Sequence, residues 1–158
     1  MDCPPDIPLL AYRIADGRRP LFDGTGASLY GARWNSPGRP VIYAATTYAG
    51  AMLEVLVHAG INSVPRHTHW IEINIPPGVS RECPEPNAFP GWDDENCVVS
   101  RAFGDAWLSE QRSAALLVPS VVTRRERNLL INPAHPDFPR IVATAPSPVE
   151  WDQRLFTR

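Results

Sequence analysis

The sequence has no lysine, only three cysteines and no long apolar run, and each absence excludes a class of protein. Without lysine there is neither a Schiff-base nucleophile nor a P-loop, and all 15 basic residues are arginines. No apolar run approaches the roughly 20 residues that a membrane-spanning helix needs. The first residues, MDCPPDIP, lack the basic and apolar regions of a signal peptide. We therefore expect a cytoplasmic protein without membrane contact.

The cysteines and the absence of common catalytic motifs exclude further classes of protein. Cys3, Cys83 and Cys97 are odd in number and far apart in sequence, which predicts neither a disulfide framework nor a CxxC metal site. The motifs GxGxxG, GxxxxGK[ST], HExxH and GxSxG are also absent, so a site has to be argued from individual side chains. The formal net charge of -2 argues against direct binding of nucleic acid.

Length and composition predict one folded domain. The 158 residues are 44% hydrophobic and 20% charged, as in globular proteins of this size. We expect a single domain over residues 1–158, with its core at about 9–156. The 18 prolines favour short elements over a helical bundle. The predicted fold class is α+β, a compact domain of short mixed or antiparallel strands around two modest helices.

The apolar pattern places these elements along the chain. The strands fall at 9–14, 40–44, 69–75, 114–122 and 129–132, the helices run from a cap at Thr46 or Thr47 to about 58 and from 93 to 111, and the loops lie at 15–31 and 76–92. Pro119 indicates that its strand lies at a sheet edge or contains a bulge. The helix from 93 has an acidic start, which the helix dipole favours.

The first helix contains an unusual carboxylate. Helical spacing predicts a buried face made of Ala49, Met52, Leu53 and Leu56. Glu54 lies beside this face with apolar residues on nearly all sides, and a carboxylate near a core must be paired or functional. The sequence alone leaves both possibilities open.

Other polar residues also have two interpretations. His67 and His69 alternate on a predicted strand, so their side chains would face the same way and could bind zinc. Glu54 and His58, one helical turn apart, could be either a metal-binding pair or a solvated ion pair. Arg33, Trp34 and Tyr43 could belong to a site, although packing and a surface ion pair are the more common interpretation. The Ser120 hydroxyl by default bonds nearby backbone.

Seven short motifs, taken in order, resemble the RES domain family. They are Tyr12-Arg13, GARWNSPG at 31–38, VIYA at 41–44, LE at 53–54, FGDAWL at 103–108, VPSVV at 118–122 and NLLINPAHPD at 128–137. The resemblance covers about residues 9–156. Each motif is weak alone, but their order and spacing make the match fairly specific. This family is named for an Arg, a Glu and a Ser, and it supplies toxins of bacterial toxin–antitoxin pairs whose antitoxin carries an Xre-type helix-turn-helix.

The resemblance implies a compact relative of the ADP-ribosyltransferase fold. Such members degrade NAD by hydrolysis or phosphorolysis, or transfer its ADP-ribose to a protein, with NAD as substrate and no separate cofactor or metal. An Xre-type antitoxin in a hetero-oligomer is the implied partner. The matching positions are Arg33, Glu54 and Ser120 as catalytic residues, with Arg13, Tyr43, Tyr12 and Trp34 as substrate-binding residues.

The chemistry of these residues suits NAD. Arginine forks bind a diphosphate, and the Tyr43 ring offers a face for nicotinamide. Cleavage of the nicotinamide–ribose bond passes through an oxocarbenium-like state that the Glu54 carboxylate can stabilise. Ser120 is expected to donate a hydrogen bond rather than act as a nucleophile, because no histidine is placed as its base. Three alternatives remain: a mono-ADP-ribosyltransferase, a non-catalytic interaction module, and a metal-dependent hydrolase that uses the histidines.

Overall fold

The computed structural model describes Cys3, residues 6–60 and residues 62–157. These residues form an α+β fold with eight strands and three α-helices, which confirms the predicted class. The strands are Leu9–Asp16 (β1), Ile42–Ala45 (β2), Thr68–Ile75 (β3), Arg81–Glu82 (β4), Ala115–Pro119 (β5), Arg127–Ile131 (β6), Val142–Ala143 (β7) and Ser147–Pro148 (β8), and the helices are Thr25–Tyr30 (α1), Tyr48–Ala59 (α2) and Val98–Glu110 (α3). None of these helices is long and apolar enough to cross a membrane.

The strands form one sheet in the order β4-β5-β6-β2-β1-β3-β7, and β8 also pairs with β3. Only β4 and β5 run parallel among the pairs described. The longest pairing joins β1 to β3, from Leu9 opposite Ile75 to Asp16 opposite Thr68. The order places β2, β5 and β6 side by side although they are distant in sequence, and the candidate site forms where these strands meet.

Both faces of the sheet are covered at β5 and β6. On one face Leu117 and Leu129 pack with the isoleucines of β3, and on the other Leu116 and Leu130 pack with Trp107 of α3. A strand that is buried on both faces gives a continuous apolar run rather than an alternating one. The alternating pattern predicted for β3 is confirmed, since Ile71, Ile73 and Ile75 are buried.

Helix α2 begins and ends as predicted but buries another face. Thr47 Oγ1 accepts a hydrogen bond of 2.9 Å from Gly50 N, and the chain turns at Gly60. The buried residues are Gly50 and Ala51, whereas Leu53 is 46% exposed. The other predicted positions are also outside the core, with Ala49 exposed and Met52 and Leu56 half-buried. Because α2 is apolar on nearly every side, hydrophobic spacing could not select its buried face.

Helix α3 begins later than predicted, at Val98. Cys97 before it adopts a left-handed conformation with φ 58°, and the acidic residues at 93–95 lie outside the helix. The first turn of α3 therefore has no acidic residue, so the predicted dipole interaction is wrong. The two predicted loops also contain short elements. Helix α1 lies in the first, and β4 with a single 3-10 turn at Pro86–Ala88 lies in the second.

The strand that ends at Pro119 is not an edge strand, because β5 lies between β4 and β6, so the predicted edge position is wrong for the strand and holds only locally at Pro119. Strand β4 pairs only with Ala115 and Leu116, so that Pro119 extends past it, and on the other side Pro119 pairs with Arg127. The missing N–H of proline is tolerated at such a position.

One disulfide corrects the expectation from cysteine spacing. Cys3 is bonded to Cys83 across a sequence separation of 80 residues, and Cys97 is free. Separation in sequence did not predict this pairing, because the fold brings Cys3 next to Cys83 at the end of β4.

Candidate active site

A cavity of about 870 Å³ lies between α2, the sheet and the start of α3. Its volume is within the range of small-molecule sites in proteins. Six of the predicted site residues line it, namely Tyr12, Arg13, Arg33, Trp34, Tyr43 and Glu54. The wall also includes His58, Cys97, Arg101 and Asn128, which the sequence did not mark as site residues in this role.

Glu54 reaches the cavity because α2 turns this position toward the sheet. Its Oε1 accepts hydrogen bonds from Asn128 Nδ2 at 2.8 Å and from Ser120 Oγ at 3.2 Å. Glu54 is half-buried, and both donors come from the adjoining ends of β6 and β5. A carboxylate that accepts two side-chain hydrogen bonds has a fixed orientation.

Ser120 contacts the Glu54 carboxylate without lining the cavity. It is 0% exposed and is not part of the cavity wall. Its hydroxyl donates to Glu54 and accepts a hydrogen bond of 3.1 Å from Thr123 N. This placement favours an effect through Glu54 over direct contact with a ligand, and the predicted catalytic role of Ser120 stays a prediction.

Three arginines contribute positive charge to the cavity. Arg13 donates to Leu21 O at 2.7 Å and to Tyr43 O at 2.9 Å, and burial lowers the pKa of its guanidinium. Arg33 donates to Asp94 O at 2.8 Å, and Arg101 donates to Ala32 O at 2.9 Å. None of the ion pairs found in the described part of the chain involves these three side chains. Carbonyl contacts orient the guanidinium groups without neutralising them, so an anionic ligand is favoured.

Tyr43 joins the cavity to the turn that follows Arg33. Its hydroxyl donates to Asn35 Oδ1 at 2.7 Å and accepts a hydrogen bond of 3.1 Å from Trp34 N. Burial raises the pKa of Tyr43 above its ordinary value, so the phenol stays neutral. With its hydroxyl already engaged on both sides, Tyr43 offers a ligand its ring.

Aromatic packing fixes the neighbouring wall. Trp34 is only 2% exposed and stacks on Trp92. Phe89 and Phe103 each make a T-shaped contact with the Trp34 ring. Tyr12 packs edge-on against Tyr48 of α2. The pKa of Tyr12 is raised by burial and by the nearby Glu72 carboxylate.

The histidine pair has a local structural contact. His69 Nδ1 lies 3.2 Å from His67 O. No group of three or more His, Cys, Asp or Glu side chains in the described ranges is arranged to hold a metal ion. His58, in contrast, lies on the cavity wall one helical turn from Glu54.

Asn128 and Arg101 are the additions that sequence reasoning missed. Asn128 begins the apolar NLLI segment, and its proximity to Glu54 depends on the pairing of β6 with β2. Arg101 lies within a helix whose aromatic spacing drew attention to packing instead. The absence of lysine could have indicated Arg101 as a site residue, because it makes every arginine a candidate for binding anions.

The fold and the cavity define an α+β domain with a carboxylate and several arginines around one ligand-sized space. Comparison with known proteins identifies the family. The RES domain model matches residues 10–152. The chain belongs to the RES domain family, as its motifs indicated.

Similar proteins carry toxin names. The "Prs ADP-ribosylating toxin" of Sphingobium sp. (strain YBL2) is 42% identical over 155 residues, which cover 93% of this chain and 96% of that protein. A "Toxin Res" of Pseudomonas putida is 39% identical over 117 residues, covering 73% of this chain and 79% of that one. These relatives confirm the toxin class that the family resemblance predicted.

A solved structure has the same fold. The toxin–antitoxin complex MbcT–MbcA of M. tuberculosis contains a chain that matches with a TM-score of 0.70 at 20% sequence identity. The match covers 94% of this chain and 87% of the other. At this level of identity the comparison establishes the fold alone.

Proposed function

We propose that this chain is a toxin enzyme that cleaves NAD at the bond between nicotinamide and ribose. The observation that carries the proposal is the Glu54 carboxylate, held by Ser120 and Asn128 in the same cavity as Arg13, Arg33 and Arg101. Anchored negative charge suits a developing oxocarbenium ion, and arginines suit a diphosphate. The toxin names of the relatives support the biological role.

The substrate is argued from the groups that it would meet. The arginines of the cavity bind the diphosphate, and the ring of Tyr43 is available to the flat nicotinamide ring. Trp34 lines the cavity, but its ring is buried against Trp92 and supports the wall. NAD is here a substrate, and the proposed chemistry requires no separate cofactor or metal.

The proposed reaction breaks one carbon–nitrogen bond. The bonding electrons pass to the positively charged nicotinamide ring, which leaves as a neutral molecule and therefore needs no general acid. Glu54 stabilises the positive charge that develops on the ribose. Attack by water then gives ADP-ribose and a proton, whereas attack by phosphate gives a phosphorylated ADP-ribose. The residues of the cavity leave both acceptors open.

A protein acceptor is the second candidate. The relative that is 42% identical is named an ADP-ribosylating toxin, which favours transfer of ADP-ribose to a protein side chain. The same carboxylate would stabilise the same transition state, and only the attacking group would differ.

An antitoxin is the proposed partner. The structural neighbour was solved as a toxin–antitoxin complex, and the family resemblance indicates an antitoxin of the Xre type in a hetero-oligomer. We place the pair in the cytoplasm, where NAD is available, and propose no direct contact of this chain with membrane or nucleic acid.

The test is a chromatographic assay of purified protein with NAD, in the presence and absence of phosphate. We expect release of nicotinamide, and a requirement for phosphate would identify phosphate as the acceptor. Glu54→Gln should lower the rate by about 100-fold or more, as loss of one electrostatic stabiliser does in other enzymes. Glu150→Gln is the matched control, because Glu150 is exposed and lies outside the cavity.

The remaining outcomes separate the candidates. Mass added to a protein in a lysate, with little turnover of NAD alone, would favour the transferase. Intact NAD and unmodified protein would contradict both enzyme proposals and favour a non-catalytic interaction module.

A further inference from the structure

We propose that Asn128 is a positioning residue for Glu54, an inference that rests on the proposed cleavage of NAD. Asn128 Nδ2 donates to Glu54 Oε1 at 2.8 Å, the shorter of the two hydrogen bonds to this oxygen. Asn128 also lines the cavity, which Ser120 does not. Of the two donors to Glu54, Asn128 is therefore the one that also borders the ligand space.

The strand under Asn128 is held from both sides. Asn128 pairs with Ala45 of β2 and with Val118 of β5. Its backbone therefore has little freedom, whereas Glu54 extends from a helix on a side chain with several rotatable bonds. A rigid strand that holds a flexible catalytic side chain is an efficient way to fix its geometry.

The hydrogen bonds bind the carboxylate asymmetrically. Ser120 Oγ is itself oriented by Thr123 N, so that it donates to the same Oε1 as Asn128. In the described part of the chain no hydrogen bond reaches Glu54 Oε2. One oxygen is therefore anchored, and the other is available to a ribose hydroxyl or to the positive charge beside it.

The position requires a donor, and this makes the proposal testable. An ionised carboxylate only accepts hydrogen bonds, so the amide nitrogen of Asn128 is complementary to it. Aspartate has nearly the same shape but would place a second negative charge within hydrogen-bond distance of Oε1. Asn128→Asp therefore tests the donor while it leaves side-chain volume almost unchanged.

The experiment measures kcat and KM for NAD in wild type and Asn128→Asp, with thermal unfolding of each. We expect kcat to fall by about 100-fold and KM to change by less than about threefold, since misplacement of a catalytic group by about 1 Å has such an effect on rate. Asn128→Gln, which keeps an amide donor, should recover part of the lost rate. Asn74→Asp is the control, because Asn74 is exposed on β3 outside the cavity.

Several results would overturn the inference. If wild type cleaves NAD and Asn128→Asp retains its kcat, Asn128 has no positioning role. Parallel losses of kcat, affinity and thermal stability, without recovery in Asn128→Gln, would indicate a structural role instead. A crystal structure of Asn128→Asp separates this question from the fate of NAD: we expect the Glu54 carboxylate to leave its position, and an unmoved carboxylate would contradict the inference even if wild type does not cleave NAD.

Discussion

Tyr43 combines a structural hydroxyl with a ring on the cavity wall. The hydroxyl satisfies Asn35 Oδ1 and Trp34 N, and both of those residues are buried. Tyr43→Phe would leave these two polar atoms without a partner, at a cost of about 1–3 kcal/mol. We expect a lower urea midpoint for Tyr43→Phe than for wild type at pH 7. Tyr30→Phe is the control, since Tyr30 is 79% exposed.

The same side chain predicts a dependence of stability on pH. Burial raises the pKa of Tyr43 in the folded protein, so its stabilising effect is fully present below the ordinary tyrosine pKa, near 10. As pH rises beyond that value the unfolded chain loses a proton that the folded chain keeps, and the free energy of unfolding falls by at most about 1.4 kcal/mol per pH unit.

Urea unfolding of wild type and Tyr43→Phe between pH 9 and pH 11 measures this effect. Tyr43→Phe should reduce the fall but not abolish it, because burial also raises the pKa of Tyr12 and Tyr48. Identical pH slopes for both proteins would show that Tyr43 does not titrate differently in the folded state.

Single residues were predictable where their chemistry conflicts with their surroundings. Glu54 stands out because a carboxylate interrupts an apolar helix, and it does lie in the cavity beside Arg13 and Arg33. Asn128 gives no such signal, since an asparagine at the start of a strand is ordinary. Its contact with Glu54 arises only from strand pairing between distant segments.

Helix α3 carries a glycine because the chain around Trp34 passes directly against it. A Cβ at Gly104 would collide with the carbonyl oxygen of Trp34, a backbone atom that cannot swing away. Gly104→Ala should therefore destabilise the protein by about 1–3 kcal/mol or more, as overpacking does in other cores. It should also lower activity, because Trp34 lines the cavity. Thermal unfolding and the NAD assay measure the two effects.

The chain offers a matched control in Gly26 of α1. A Cβ at Gly26 would meet nothing within 4 Å. Because alanine favours helix over glycine, Gly26→Ala should be neutral or stabilising by up to about 1 kcal/mol. Equal effects of Gly26→Ala and Gly104→Ala would mean that helix propensity, rather than contact with Trp34, governs both positions.

Elements with a strong local signal were predicted, and those defined by tertiary packing were not. The alternation of β3 and the cap and stop of α2 follow from neighbouring residues. The buried face of α2 depends on small residues that approach β1 and β2, which an all-round apolar helix does not reveal. Helix α1 has six residues and no side-chain cap, too little for periodicity to identify.

At the scale of the whole molecule, the sheet order assembles the site from remote parts of the chain. Strand β2 lies between β1 and β6, so that the helix following β2 meets the ends of β5 and β6. The contacts of Ser120 and Asn128 with Glu54 follow from this order, with sequence separations of 66 and 74 residues. Pairing over such distances cannot be read from local patterns, and the family motifs were the only guide to it.

Charge is distributed so that the cavity differs from the molecule as a whole. The protein has a formal net charge of -2, yet its cavity contains Arg13, Arg33 and Arg101 with Glu54 as the opposing carboxylate. A diphosphate is therefore attracted by a local field that mobile ions screen within about 10 Å at 0.1 M salt.

This local field predicts how salt affects the proposed reaction. Raising NaCl from about 50 mM to about 500 mM should raise KM for NAD several-fold, because the Debye length falls below the size of the site. The kcat should change little, since Glu54 is half-buried and acts at contact distance. Arg101→Ala should raise KM at low salt and weaken its dependence on salt, and steady-state kinetics at a series of NaCl concentrations measures both. If KM is independent of salt in wild type, the arginines do not bind the diphosphate electrostatically, and shape and aromatic contacts must account for the affinity.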